Sequence, residues 1–106
     1  MYERISNDQF LEIMERLQGK PVWLKVQTKT IFVDRLYPKL EFLNFTSGKY
    51  QFGFQNYDEE NEYRRLIINQ RDIFDIHKEY FPLGVNTENV LINMTDNTKL
   101  FVQYNY

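Results

Sequence analysis

The stretch Ser6–Gln27, SNDQFLEIMERLQGKPVWLKVQ, changes its hydrophobic period once, and that change decides the fold class. Phe10, Ile13, Met14 and Leu17 recur at i, i+3, i+4 and i+7, the single apolar stripe of an amphipathic helix. Ser6 fits the N-cap, and Gln9 stands three residues on as its capping-box partner. Ile5 and Phe10 hold the two positions of a hydrophobic staple, while Glu12, Glu15 and Arg16 supply a wet face. Gly19 can end the helix and Pro21 prevents its continuation, so the spacing predicts a helix over 7–18. Beyond Pro21 the period falls to two. Val22, Leu24 and Val26 then point one way and Trp23, Lys25 and Gln27 the other, as in a half-buried strand.

Strand signals continue from there. Thr28-Lys29-Thr30 interrupts the alternation, and Ile31 and Val33 resume it in shifted phase, which predicts a tight turn or bulge near Lys29. Pro38 marks a strand edge or break. Residues 40–45 read as a strand, 46–49 as a turn, and Tyr50, Phe52 and Phe54 alternate with Gln51, Gly53 and Gln55 on the way back. Residues 58–62 form a charged loop, and 63–69 a strand with Leu66 and Ile68 on one face. Over 70–81, Ile73, Ile76, His77 and Tyr80 fit a helix capped at Asn69, whereas Phe74, Ile76, Lys78 and Tyr80 fit a strand; a short second helix is the favoured reading. Residues 89–94 and 99–104 form a hairpin over 95–98, with Val90, Ile92 and Met94 facing Leu100 and Val102.

Short connections favour antiparallel neighbours. The expected fold is therefore α+β, a single domain over 1–106. In it an N-terminal amphipathic helix packs on a strongly bent antiparallel sheet or small β-barrel. This element order is similar to that of Sm-like and PUA-like small barrels, although no motif of either family is present.

Composition bounds the chemistry. The chain has 106 residues, 42% of them hydrophobic and 26% charged, which is globular composition of ordinary domain size. With no Cys and one His, thiolate catalysis, disulfide frameworks and His-clustered metal sites are excluded. No phosphate-cradling glycine motif occurs. His77, with Asp72 and Asp75 nearby, has no nucleophile of evident spacing, because Ser6 and Ser47 are the only serines. The residues accordingly predict no enzyme, no metal and no cofactor. No apolar run reaches a membrane span and no signal core follows the N-terminus, so a cytoplasmic location without membrane association is expected. Alanine is absent and Asn is abundant; such AT-rich codon usage points to a low-GC bacterium, or to a phage, plasmid or other mobile element of one.

Charge is distributed unevenly. Residues 1–19 carry net −2, residues 20–56 net +4 and residues 57–106 net −4. The basic segment also holds much of the aromatic content. Trp23, Lys25, Lys29, Arg35, Tyr37, Lys39, Lys49, Tyr50 and Phe52 thus become the candidate binding residues. Lysines and arginines that neutralise phosphate, interleaved with rings that stack on unpaired bases, are what single-stranded nucleic acid requires, and RNA is the expected ligand of a small regulatory protein. The alternative reading is a protein-binding adaptor or inhibitor, since Trp, Tyr, Phe and Arg also dominate interface hot spots. Eight tyrosines exceed what so small a core buries with every hydroxyl paired, so some must reach the surface, and a homodimer through sheet edges is possible.

Overall fold

The computed structural model describes residues 2–48, 50–57, 65–79 and 87–105. They form a mostly β architecture with one helix: β1 (Tyr2–Arg4), α1 (Asn7–Arg16), β2 (Val22–Gln27), β3 (Phe32–Tyr37), β4 (Leu40–Phe45), β5 (Gln51–Asn56), β6 (Leu66–Asn69), β7 (Ile73–Glu79), β8 (Thr87–Met94) and β9 (Lys99–Asn105). Every strand pair is antiparallel. The strands divide into a six-stranded sheet of order β1-β7-β8-β9-β2-β3 and a three-stranded sheet of order β4-β5-β6. The expected barrel is thereby corrected. The chain leaves the large sheet after Tyr37, turns at Pro38 and starts the small one at Leu40, and neither β3 nor β6 pairs with a second neighbour among the described residues. Proline, with no N–H to donate and a fixed φ, suits this corner better than a continuous ladder.

The helix forms where the local signals place it. Ser6 Oγ accepts from Gln9 N at 3.2 Å, and Gln9 Oε1 accepts from Ser6 N at 2.8 Å, which closes the capping box. Helical geometry ends at Arg16 with Leu17 as C-cap, one to two residues short of the expected limit. Phe10, Ile13, Met14 and Leu17 are all buried. Phe10 meets Phe42 and Phe52 at ring-centroid distances of 5.7 and 5.3 Å, so the helix is anchored to the small sheet. Phe42 also meets Phe54 at 5.2 Å. Each such aromatic pair adds about 0.5–1.5 kcal/mol beyond the area it buries. The inner face of the large sheet supplies the opposite wall: Val22, Leu24, Val90, Ile92, Leu100, Val102 and Tyr104 belong to the same buried cluster.

The hairpin of β8 and β9 has the expected register, with Val90 opposite Val102 and Ile92 opposite Leu100. Over the expected helix at 70–81, the described residues 70–79 differ from the favoured reading. Gln70–Asp72 make one 3-10 turn, and Ile73–Glu79 are strand β7, bound by β8 on one side and β1 on the other. The β7–β8 register slips between Ile73 and Asp75, leaving Phe74 as the extra residue of a bulge and 70% exposed. The bulge lets Ile73 and Ile76 both face the core. That i, i+3 spacing imitates a helix in the sequence but arises from two strand residues separated by an inserted one. Strand β6 begins at Leu66; the expected strand residues 63–64, the charged loop 58–62 and Tyr80 lie outside the described residues.

Candidate functional site

Sheet edges expose unpaired N–H and C=O groups, and proteins usually shorten or cover them. The edge at β1 is three residues long. The edge of β4 is covered from the end of the helix: Gln18 Nε2 donates to Phe42 O at 2.9 Å, Phe42 N donates to Gln18 Oε1 at 3.0 Å, Gly19 N donates to Leu40 O at 2.8 Å and Leu40 N donates to Lys20 O at 2.9 Å. Gly19 reaches this position with φ of +76°, a conformation that favours glycine. Strand β6 has four residues. Strand β3 is different. It is six residues long, only β2 pairs with it among the described residues, and all but Tyr37 are exposed.

A tight turn positions this strand. Thr28 N donates to Ile31 O at 2.8 Å, and Thr28 Oγ1 accepts from Ile31 N at 3.0 Å, so the β2–β3 hairpin closes around Lys29 as expected. The register then sets the two faces of β3. Val33, Arg35 and Tyr37 lie opposite Val26, Leu24 and Val22 and face inward; Phe32, Asp34 and Leu36 lie opposite Gln27, Lys25 and Trp23 and face outward. Ile31, Phe32, Val33 and Leu36 are 60%, 59%, 45% and 48% exposed. Large side chains on both faces of an unpaired edge form an apolar ribbon of the kind that marks interaction sites. Arg35 contacts Tyr37 two residues along the strand: its Nη1 donates to Tyr37 Oη at 3.4 Å and its guanidinium lies 5.9 Å from the Tyr37 ring centre.

Beside the edge, the two sheets do not close on one another. Two adjoining clefts, of about 380 and 230 Å³, run between β6 and the inner face of the large sheet and share Val26 and Leu66. Val33, Arg35 and Tyr37 line the smaller one, so the inward face of β3 opens directly into it.

Of the nine expected binding residues, the eight that are described do not form one surface. Trp23 and Lys25 share the outer face of β2, with Lys29 at the adjoining turn. Arg35 and Tyr37 sit together on the inward face of β3, and Tyr37 is buried. Lys39 occupies the corner between the sheets, where its backbone N donates to Asn56 Oδ1 at 3.0 Å. Tyr50 precedes β5 on the small sheet, 64% exposed with φ of +47°. Phe52 belongs to the core at 1% exposure, and Lys49 lies outside the described residues. Phe52 and Tyr37 therefore have no ring face open for stacking on a base. Among the described residues the exposed tyrosines are Tyr2, Tyr50 and Tyr57, while Tyr104 is buried and donates to Glu88 Oε2 at 2.7 Å. The apolar edge itself was not among the expected sites. Its signal is the unbroken run Ile31-Phe32-Val33, which places apolar side chains on both faces of one strand.

A titratable pair lies elsewhere on the large sheet. His77 Nε2 is 3.1 Å from Asp75 Oδ2, and Asn93 Nδ2 donates to Asp75 Oδ1 at 2.7 Å. Partial burial opposes ionisation of Asp75, but hydrogen bonds from Asn93 and His77 and the charges of His77 and Arg4 outweigh it and hold the carboxyl below its usual value. Ser6 is occupied by its helix cap and Ser47 lies in the β4–β5 turn, so neither serine joins this pair. Among the described residues no three metal-ligating side chains come together, and no helix is long and apolar enough to cross a membrane. Compared with protein-family models, curated proteins and solved structures, the chain matches none.

Proposed function

We propose that this protein is a non-enzymatic binding module that takes an extended strand of a partner protein onto the free edge of β3, in the manner of an adaptor or inhibitor. The observation that carries the reading is the exposure of Ile31, Phe32, Val33 and Leu36 along the longest uncovered edge among the described residues. Strand addition would satisfy the unpaired backbone groups of that edge and remove its apolar side chains from water together. The test is differential capture from the source cell with wild-type protein and with the double variant Phe32→Lys, Leu36→Lys. Both positions face solvent, so each substitution should cost no more than about 0.5 kcal/mol and the double variant no more than about 1 kcal/mol of stability. The expected result is a partner retained by the wild type alone, whose complex protects the β3 amides from hydrogen exchange. Identical capture by both proteins, or a complex that leaves those amides unprotected, refutes the reading.

A second reading rests on the outer face of the large sheet. Trp23 and Lys25 on β2 lie beside Phe101 and Lys99 on β9, with Lys25 directly opposite Phe101. Rings alternating with ammonium groups suit a single strand of RNA, although Asp34 on β3 stands opposite Lys25 and weakens the positive field there. If RNA binds on this face, changing Lys25 and Lys99 to Glu should lower the salt slope by roughly 0.7 for each phosphate no longer neutralised. Absence of binding to single-stranded RNA at low salt removes this reading.

A further inference from the structure

The larger of the two clefts has apolar walls and a negative rim. Leu66 and Ile68 of β6 form one wall, and Val26, Met94 and Leu100 of the large sheet form the other. Leu100 is buried, whereas Val26, Leu66, Ile68 and Met94 pack against the core while keeping part of their surface open. Burial of that remaining surface by an apolar group is favourable. The end away from the smaller cleft lies where the chain crosses from β6 to β7. There Thr95 N donates to Asp72 O at 2.8 Å, which ties the β8–β9 turn to the 3-10 turn of Gln70–Asp72.

That tie brings two carboxylates to one rim. Asp72 and Asp96 both line the cleft, together with Thr95 and Thr98. Asp96 Oδ1 accepts from Thr98 N at 2.9 Å, and this hydrogen bond holds the Asp96 carboxyl below its usual pKa. No cationic group lies within 4 Å of Asp96 among the described residues. Asp72 Oδ2 accepts from Asn69 Nδ2 at 3.3 Å, and Asp72 Oδ1 is 3.9 Å from Arg71 Nε. The Arg71 side chain is 85% exposed, so water screens that contact and leaves most of the negative field in place. Lys99 follows the turn but lies opposite Gln27, on the outer face of the sheet.

We propose that this cleft binds a small amphipathic organic cation, an amine whose apolar body lies between the β6 wall and the large sheet and whose ammonium group sits at the rim against Asp72 and Asp96. The cleft volume of about 380 Å³ falls within the range of small-molecule sites, about 300–1,000 Å³. Both halves of the ligand are selected. An anionic head is repelled at the rim, a neutral one leaves the carboxylates to water, and a cation without an apolar body leaves the walls wet. The hydroxyls of Thr95 and Thr98 can accept the remaining ammonium protons. No residue of β3 lines this cleft, so the proposal is independent of strand addition at that edge.

The experiment titrates the protein at low salt with n-octylammonium, n-octanol and n-octanoate, each below its micelle concentration, and follows the methyl NMR signals of Val26, Leu66, Ile68, Met94 and Leu100. Octylammonium should shift these signals and bind about tenfold tighter than octanol, with octanoate weakest. Asp72→Asn and Asp96→Asn should each weaken octylammonium by about threefold, the scale of an exposed ion pair, and leave octanol unchanged. The amide introduced at position 96 can still accept from Thr98 N, so the turn is kept, and melting curves check that both variants fold. Added salt should narrow the gap between ammonium and alcohol. The double variant Phe32→Lys, Leu36→Lys should bind octylammonium as the wild type does. Octylammonium that binds no tighter than octanol or octanoate, or that both Asp variants bind unchanged, overturns the proposal. So does the absence of shifts at the cleft methyls with every probe. Loss of the shifts in the β3 double variant places the probe on that edge instead and overturns the cleft as its site.

Discussion

Replacing Gln18 by Ala tests whether one side chain covers a sheet edge. The amide of Gln18 makes two hydrogen bonds to the backbone of Phe42, of 2.9 and 3.0 Å, both partly buried. The residue follows the helix C-cap, so the substitution leaves the helical hydrogen bonds of α1 in place. A hydrogen bond contributes about 0.5–1.5 kcal/mol net, and the pair should therefore contribute about 1–3 kcal/mol. Released rotamer freedom of the long side chain is already contained in such net values. Gln18→Ala should lower the urea midpoint accordingly with an unchanged m-value, and lower Tm by about 4–8 °C per kcal/mol for a chain of this size. Gln18→Glu provides an internal check. Its carboxylate can still accept from Phe42 N but faces Phe42 O without a proton to donate. Its deficit should therefore shrink as pH falls and the carboxyl becomes a donor. A loss below about 0.5 kcal/mol for Gln18→Ala would mean that water replaces the amide freely. The β4 edge would then be held by Gly19 and Lys20 alone.

Ile13→Ala should cost about 2–5 kcal/mol in denaturant melts, because Ile13 is 5% exposed within the core, and a value near zero would mean that the helix is not docked. A Cβ added at Gly53 would stand 2.9 Å from a ring carbon of Phe45. Gly53→Ala should therefore be destabilising, an overpacking cost of about 1–3 kcal/mol exceeding the gain of about 0.4–1 kcal/mol from a stiffer unfolded chain, and Phe45→Leu should relieve it in a double-mutant cycle. Asp75 is held below its usual pKa in the folded state, so its contribution is present above the unfolded carboxylate pKa and is lost as pH falls through the folded one. Asp75→Asn should consequently flatten the acid limb of stability against pH, and urea midpoints measured down through the carboxylate range check this.

Local signals carried the parts of the fold that depend on neighbours in sequence. The capping box at Ser6 and Gln9 needs four residues, and the β8–β9 register follows from a short turn between two alternating runs. Signals failed where pairing is remote. Tyr2–Arg4 becomes a strand only because β7 passes beside it, with Arg4 opposite His77. The bulge at Phe74 exists only in relation to β8, so its i, i+3 apolar spacing reads as a helix until the partner strand is known. The division into two sheets likewise turns on which strand β3 does not pair with. The candidate site was half legible for the same reason. Trp23 and Lys25 emerge on the outer face that their alternation implies. By contrast, Phe52 is drawn inside by Phe10 and Phe42, neighbours that no spacing along the chain encodes.

Strand β9 lies between β8 and β2, with Tyr104 opposite Val22. During synthesis, β2 and β3 leave the ribosome long before their neighbour exists. Until β9 arrives, the hairpin can close only on itself, and the apolar groups of Val22, Leu24 and Val26 lack the wall formed by Leu100 and Val102. The nascent chain thus carries two apolar surfaces, one awaiting its own later residues and one, at β3, that remains after they come. Chaperones meeting the unfinished chain encounter both, and only the first is withdrawn by the completion of folding.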